Sequence, residues 1–322
     1  MHYKMDWFYK LFWSEHFWLP VGYTWKDLES TPEVQKADVN DLITIPLWVV
    51  FVLLSRYLFE RVIATPFCHY LGIRVTFREK SRLKDSVGSS LREKREHVSR
   101  QKLKKATETC WRFVFYCGMM SVGTYVLLSS DWGLDGSKWI HRAIEDHEFT
   151  WDMKLYYHSE LSFYVSLLIS QFFDIKRRDF YQLFVHHVTT IILLFASYCM
   201  SFYRFGVIIL YLHDCADVWL EAAKIANYAK IQKVCDVLFA IFGTVFITSR
   251  IIFYPTYVAY SYFHYNTYEN GVLMKGLVML CYLLLFLHFY WGWLICKMAY
   301  RLIIVGKVEK DTRSESESED TG

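Results

Sequence analysis

At 322 residues, 54% of them hydrophobic and 19% aromatic, the chain is too apolar and too regularly segmented for an ordinary soluble domain. It reads as an all-α polytopic membrane protein. The net charge of +3 is unevenly spread, so it gives no support to a nucleic-acid partner, and the loop charges become the informative quantity. The eight cysteines form no CxxC pair and mostly fall inside apolar runs, which points to reduced packing residues, not a disulfide framework or a zinc site.

In chain order, residues 1–40 mix aromatics (Trp7, Phe8, Trp13, Phe17, Trp18) with charges and suit an external, interfacial preface with no cleavable signal peptide. Residues 41–64 hold the first crossing, Leu42 to Phe59, with Pro46 tolerable near a helix start. Residues 65–108 form a basic loop with twelve Lys or Arg against five Asp or Glu, which assigns it to the cytosol as an orientation signal. Six more apolar runs follow within residues 109–301: Trp111 to Ser129, Leu155 to Phe173, Tyr181 to Phe202, Gly206 to Ala223, Val234 to Tyr257 and Val272 to Met298. That makes about seven transmembrane helices. Loop charges alternate accordingly, with Lys176, Arg177, Arg178, Lys224, Lys230 and Lys233 on the basic side, so the N-terminus is expected to be lumenal and the C-terminus cytosolic. Residues 302–322 are acidic, serine-rich and expected to be disordered. Ser314, Ser316 and Ser318 precede acidic residues, a pattern that suits an acid-directed kinase as well as an unmodified solubilising tail.

Against this apolar background, Lys176 to Tyr228 stands out: KRRDFYQLFVHHVTTIILLFASYCMSFYRFGVIILYLHDCADVWLEAAKIANY. An ionisable group at membrane depth costs about 2.5–3.5 kcal/mol on insertion scales, so His186, His187, His213, Asp214 and Asp217 mark a candidate site facing a bundle interior. The helical rise puts His187 and Asp217 each about 10 Å from the basic end of its helix. His213 and Asp217 share a face at i and i+4, Asp214 points about 100° away, and His186 and His187 diverge by the same angle. Imidazole exchanges protons near neutral pH, a carboxylate fixes its tautomer, and neutral imidazole is also a nucleophile toward acyl groups. One HH and one HD, without the repeated HxxxH and HxxHH clusters of membrane di-iron hydroxylases, argue against a metal.

KRRDF, HHVTTIILLFASY and RFGVIILYLHDCADVWLEAAKIANY resemble, in residue type and spacing, the signature of the ceramide synthases of the TLC-domain family, the sphingoid-base N-acyltransferases. The resemblance runs from about Trp111 to Arg301 and includes YYHSELSFYVSLL. It implies a TLC domain whose six helices enclose a tunnel, with the first crossing outside, in the endoplasmic reticulum membrane. The implied reaction joins a fatty acyl group from acyl-CoA to a sphingoid base, giving ceramide or dihydroceramide and free CoA, with no cofactor. The family's histidine pair falls on His186 and His187 and its HDxxD on His213, Asp214 and Asp217. His186 is assigned as acyl acceptor with His187 as the alternative, and the other three as a proton-handling and orienting group.

Lys176, Arg177, Arg178 and Lys224 are placed to hold CoA phosphates, although topology alone also accounts for their charge. The resemblance implies homo- or hetero-dimers, and acyl-length choice by the last lumenal loop, here about Tyr257 to Lys275. A homeobox-like domain found in many vertebrate relatives does not fit the short basic segment, and no N-x-S/T sequon is present. Arg250 is expected either to pair with Glu160 at similar depth or to snorkel to the interface. The other readings are a non-enzymatic TLC-domain protein and a seven-span receptor or transporter. The buried HH and HDxxD disfavour the first, and the absence of paired broken helices disfavours the second.

Overall fold

A computed structural model describes residues 13–19, 21–73, 86–135, 138–139, 148–176, 178–265 and 272–305, with no strand among them. The long helices are α1 (Ile45–Phe59), α2 (Thr65–Tyr70), α3 (Ser86–Ser129), α4 (Trp151–Ser170), α5 (Phe180–Cys199), α6 (Tyr203–Tyr228), α7 (Gln232–Phe246), α8 (Tyr254–Tyr265) and α9 (Val272–Val305). A short helix, Glu15–Trp18, precedes them.

Two of the rods are double. A π-helical segment, Glu60–Ala64, joins α1 to α2, and another, Ile247–Phe253, joins α7 to α8. Each ends two residues before a proline, Pro66 or Pro255, whose ring removes an N–H from the ladder and crowds the preceding turn. Widening the turn relieves that conflict, and the Thr65 hydroxyl donates to the Glu60 carbonyl at 2.7 Å.

Helix packing closes on itself in the order α3, α4, α5, α9, α7, α6 and back to α3, while α1 packs outside against α4. One side of this ring holds a core of Tyr156, Tyr157, Tyr164, Tyr198 and Tyr203, and the other a core of Phe239, Phe242, Leu284, Leu287 and Trp291. The α5–α6 turn is tight: Ser201 has φ 58°. A Cβ on Gly206 would sit 1.7 Å from the Tyr157 hydroxyl, which donates to the Tyr203 carbonyl at 3.1 Å.

Five helical rods are long and apolar enough to cross a membrane: Val39–Tyr70, Glu96–Ser129, Phe180–Cys199, Gln232–Ala259 and Leu273–Ile304. The expected third and fifth crossings, α4 and α6, also form helices, and their 20 and 26 residues give about 30 and 39 Å. They fall short in apolarity because they bury polar groups inside the ring, including Ser159, Glu160, Ser162, His213, Asp214 and Glu221. The basic segment 65–108, expected as a loop, is instead helical over α2 and from Ser86 onward, running without a break into α3.

The outer helix is tied to the ring by charge. Arg56 of α1 donates to both carboxylate oxygens of Asp174 at 2.9 Å and to Glu60 at 2.7 Å, with Glu108 at 4.0 Å. At the opposite end Asp41 accepts from the Tyr198 hydroxyl at 3.1 Å and pairs with Lys154 at 2.7 Å.

Candidate active site

Among the described residues, two cavities within the ring concern the site. The first, of about 170 Å³, reaches inward from the α4–α5 turn and is bordered by Gln171, Asp174, Lys176, His186, His187, Asp217, Lys224, Arg250 and Trp291. The second, of about 110 Å³, is almost wholly apolar and runs toward the α5–α6 turn between Leu193, Phe202, Ile209, Met274, Leu277 and Leu284. Tyr164 borders both, His186 borders the first and His213 the second. The two imidazoles lie at a small angle, 26°, with centroids 6.3 Å apart.

α5 turns both members of the histidine pair inward. His186 meets Trp291 edge-on at 5.4 Å and Tyr164 at 6.1 Å, and its Nδ1 finds no hydrogen-bond partner among the described residues. His187 Nδ1 lies 3.0 Å from Gln171 Oε1. Gln171 Nε2 donates to the Phe180 carbonyl at 2.6 Å, which fixes the amide so that its oxygen faces the histidine. The proton of a neutral His187 therefore sits on Nδ1.

α6 distributes its three site residues among three different neighbours. His213 donates from Nδ1 to the Ile209 carbonyl at 2.7 Å, so its Nε2 is an acceptor, 2.9 Å from His288 Nε2. His288, fully buried on α9, is thereby assigned the proton on Nε2. Asp214 accepts from the Tyr156 hydroxyl at 2.9 Å, facing α4. Asp217 pairs with Arg250 at 2.8 Å, and the same Arg250 Nη2 donates to the His213 carbonyl at 2.8 Å. Nearer the α4–α5 turn, Arg112 approaches Glu221 at 3.3 Å and Lys224 donates to it at 2.8 Å.

These placements correct one expectation. Arg250 pairs with Asp217, not Glu160, because the wide π turn brings it to the α6 face that carries His213 and Asp217. Both Glu160 carboxyl oxygens lack a hydrogen-bond partner among the described residues. Of the other expected residues, His186, His187, Asp217, Lys176 and Lys224 border the first cavity, His213 borders the second, and Asp214 borders neither. Arg178 is exposed on the α4–α5 turn. Arg177, Ser314, Ser316 and Ser318 lie outside the described residues, as do residues 266–271 of the expected length-selecting loop.

Sequence reasoning missed His288, Gln171 and Arg112. The signal for His288 was present: it interrupts the run LCYLLLFLHFYWGWL, where the argument that singled out His186 applies equally. Among the described residues no group of three or more His, Cys, Asp or Glu side chains is arranged to hold a metal ion.

Chemically, the arrangement offers a buried imidazole bordering a polar cavity, next to an apolar slot. The carboxylates of Asp214, Asp217 and Glu221 are each held by a cation or a hydroxyl, whereas Glu160, among the described residues, is not. Residues 105–297 match the TLC domain family model. Ceramide synthase 5 of Homo sapiens is 35% identical over 348 aligned residues, covering 95% of this chain and 86% of that protein. Ceramide synthase 4 of Mus musculus is 33% identical over 347 residues, covering 96% and 86%. Ceramide synthase hyl-1 of Caenorhabditis elegans is 32% identical over 329 residues, covering 96% and 85%. With likeness of this depth along nearly its whole length, the chain belongs to the TLC-domain family and, within it, to the ceramide synthases.

Proposed function

We propose that the chain transfers a fatty acyl group from acyl-CoA to the amine of a sphingoid base, forming ceramide or dihydroceramide and releasing CoA. The observation that carries this reading is the position of His186. Its imidazole ends the polar cavity, has an unpartnered Nδ1, and faces across to the residue that closes the apolar one.

In the first half-reaction a lone pair of His186 attacks the thioester carbonyl. The C–S bond breaks, the thiolate takes the ring proton, and CoA leaves as a thiol, with His187 as the alternative acceptor. In the second, the neutral amine attacks the acyl carbon, the C–N bond to histidine breaks, and the amine proton passes to the imidazole. His213, Asp214 and Asp217 handle the ammonium proton and orient the reacting groups. Lys176 and Lys224 at the cavity's outer end, with Arg177 and Arg178 of the same turn, hold the CoA phosphates. The apolar cavity receives the acyl chain. No cofactor takes part.

In this reading all seven helical rods cross the endoplasmic reticulum membrane, the α4–α5 turn faces the cytosol with the C-terminus, and the N-terminus is lumenal. Pairing with a second copy or a related synthase, and phosphorylation of Ser314, Ser316 and Ser318, complete it. An acyltransfer assay on membranes containing the full chain, with dihydrosphingosine and a panel of acyl-CoAs, tests the reaction. Full activity in His186→Ala, or in His187→Ala with Asp217→Asn, would falsify the site. Incubation without sphingoid base, followed by mass spectrometry, reads the acyl adduct. If neither histidine carries one, direct attack of the amine replaces the covalent step.

A further inference from the structure

The far end of the apolar cavity is closed by residues that belong to a second structure. Phe202, Met274 and Leu277 line the cavity, and the same three pack in one cluster with the aromatic residues that precede the first crossing. The short helix Glu15–Trp18 rests directly on α9, near the end that carries Met274 and Leu277. Trp18 is 3% exposed and Leu19 1% exposed, a degree of burial more usual of a core than of a chain terminus.

This cluster is rigidly built. Trp18 stacks on Trp13 at 5.2 Å and meets Trp25 at 6.1 Å and Phe195 of α5 at 6.2 Å. Glu15 accepts from the Trp25 backbone N–H at 2.9 Å, and the Trp25 indole donates to the Trp13 carbonyl at 2.9 Å. Asp41, just downstream, fastens the segment to α4 and α5 through Lys154 and Tyr198. Large, closely stacked aromatic rings make a wall that yields little to an advancing chain.

The cavity has a defined direction. Its α6 wall runs from His213 to Phe205, and Phe202 lies eleven positions before His213, about 16 Å at the helical rise. A chain that enters beside His213 therefore meets Phe202 and Met274 last, and behind them Trp18. We propose that the Trp18 cluster is the stopper of the acyl cavity and determines the longest acyl chain used. The proposal rests on the reading of the chain as an acyl-CoA-dependent N-acyltransferase.

The experiment uses membranes containing the full-length chain, an equimolar mixture of saturated acyl-CoAs from medium to very long chain, and dihydrosphingosine. Trp18→Ala opens space behind Met274 and is expected to raise the proportion of product two carbons longer by about tenfold, as burial of two further methylenes implies. Met274→Phe fills the far end and is expected to shift the product toward shorter chains, which keeps the test informative if Trp18→Ala does not accumulate. An unchanged product distribution in the accumulated variants overturns the proposal. So does an equal loss of turnover with every acyl length. If the unsubstituted chain forms no ceramide from any acyl-CoA, the functional reading itself fails; activity with an unmoved distribution removes only the stopper.

Discussion

His288 occupies a position in α9 where any aliphatic residue would be cheaper, and its Nε2–H is the donor that His213 Nε2 accepts. Removing that donor leaves His213 Nε2 without its partner and the ring held only through Nδ1 at the Ile209 carbonyl. His288→Leu is expected to lower kcat by about ten- to a hundred-fold, the range for loss of one buried hydrogen bond, with little change in KM for acyl-CoA. His288→Gln keeps an N–H donor and is expected to recover much of the loss, an effect that mere space-filling would not give. Steady-state kinetics on the three proteins decide it. Arg250→Met strands the Asp217 carboxylate inside the ring and is expected to cost about 3–5 kcal/mol of stability. Glu160→Gln, at a carboxyl that holds no cation, is expected to change stability far less. Thermal unfolding in detergent separates the two, and equal losses would argue against the Asp217 partnership. That His186, His187 and Asp217 face the interior was legible from their cost as polar groups, but not their partners, because one-dimensional spacing fixes the face of a helix and not what stands opposite.

At the scale of elements, every long apolar run of the sequence became a helix, since hydrophobic length is a local property. The basic segment was misjudged for an equally local reason: Lys, Arg, Glu and Gln are good helix formers, and charge alone does not make a loop. Glu96 and Arg100, at i and i+4 and 2.6 Å apart, support that helix on its exposed side. The π turns were signalled only by Pro66 and Pro255, and the extra backbone width that places Arg250 has no pattern in side-chain periodicity. The α5–α6 turn is the most crowded joint. Gly206→Ala would drive a methyl group into the Tyr157 hydroxyl and is expected to cost about 1–3 kcal/mol, measurable as a lower unfolding midpoint. An unaltered midpoint would mean that Tyr157 yields without strain.

For the whole molecule, the alternation of loop charge predicts orientation but says nothing about the order of helices around the ring. If the orientation is as proposed, an epitope placed after residue 322 is digested by protease added to sealed microsomes, while one placed at residue 1 is protected. Protection of both would require an even number of crossings. The ring order was hidden because α9, last in sequence, packs between α5 and α7, a contact across most of the TLC domain.

That late closure has a consequence for biosynthesis. A nascent chain inserted through α8 already carries His186, His213, Asp217 and Arg250, yet lacks both Trp291 and His288. Until α9 arrives, one wall of each cavity is missing and the polar stripe faces lipid or a chaperone. Enclosure of the polar groups therefore waits for α9, and a chain that stops after Tyr265 is a folding orphan, recognisable to membrane quality control by the polar groups it cannot enclose.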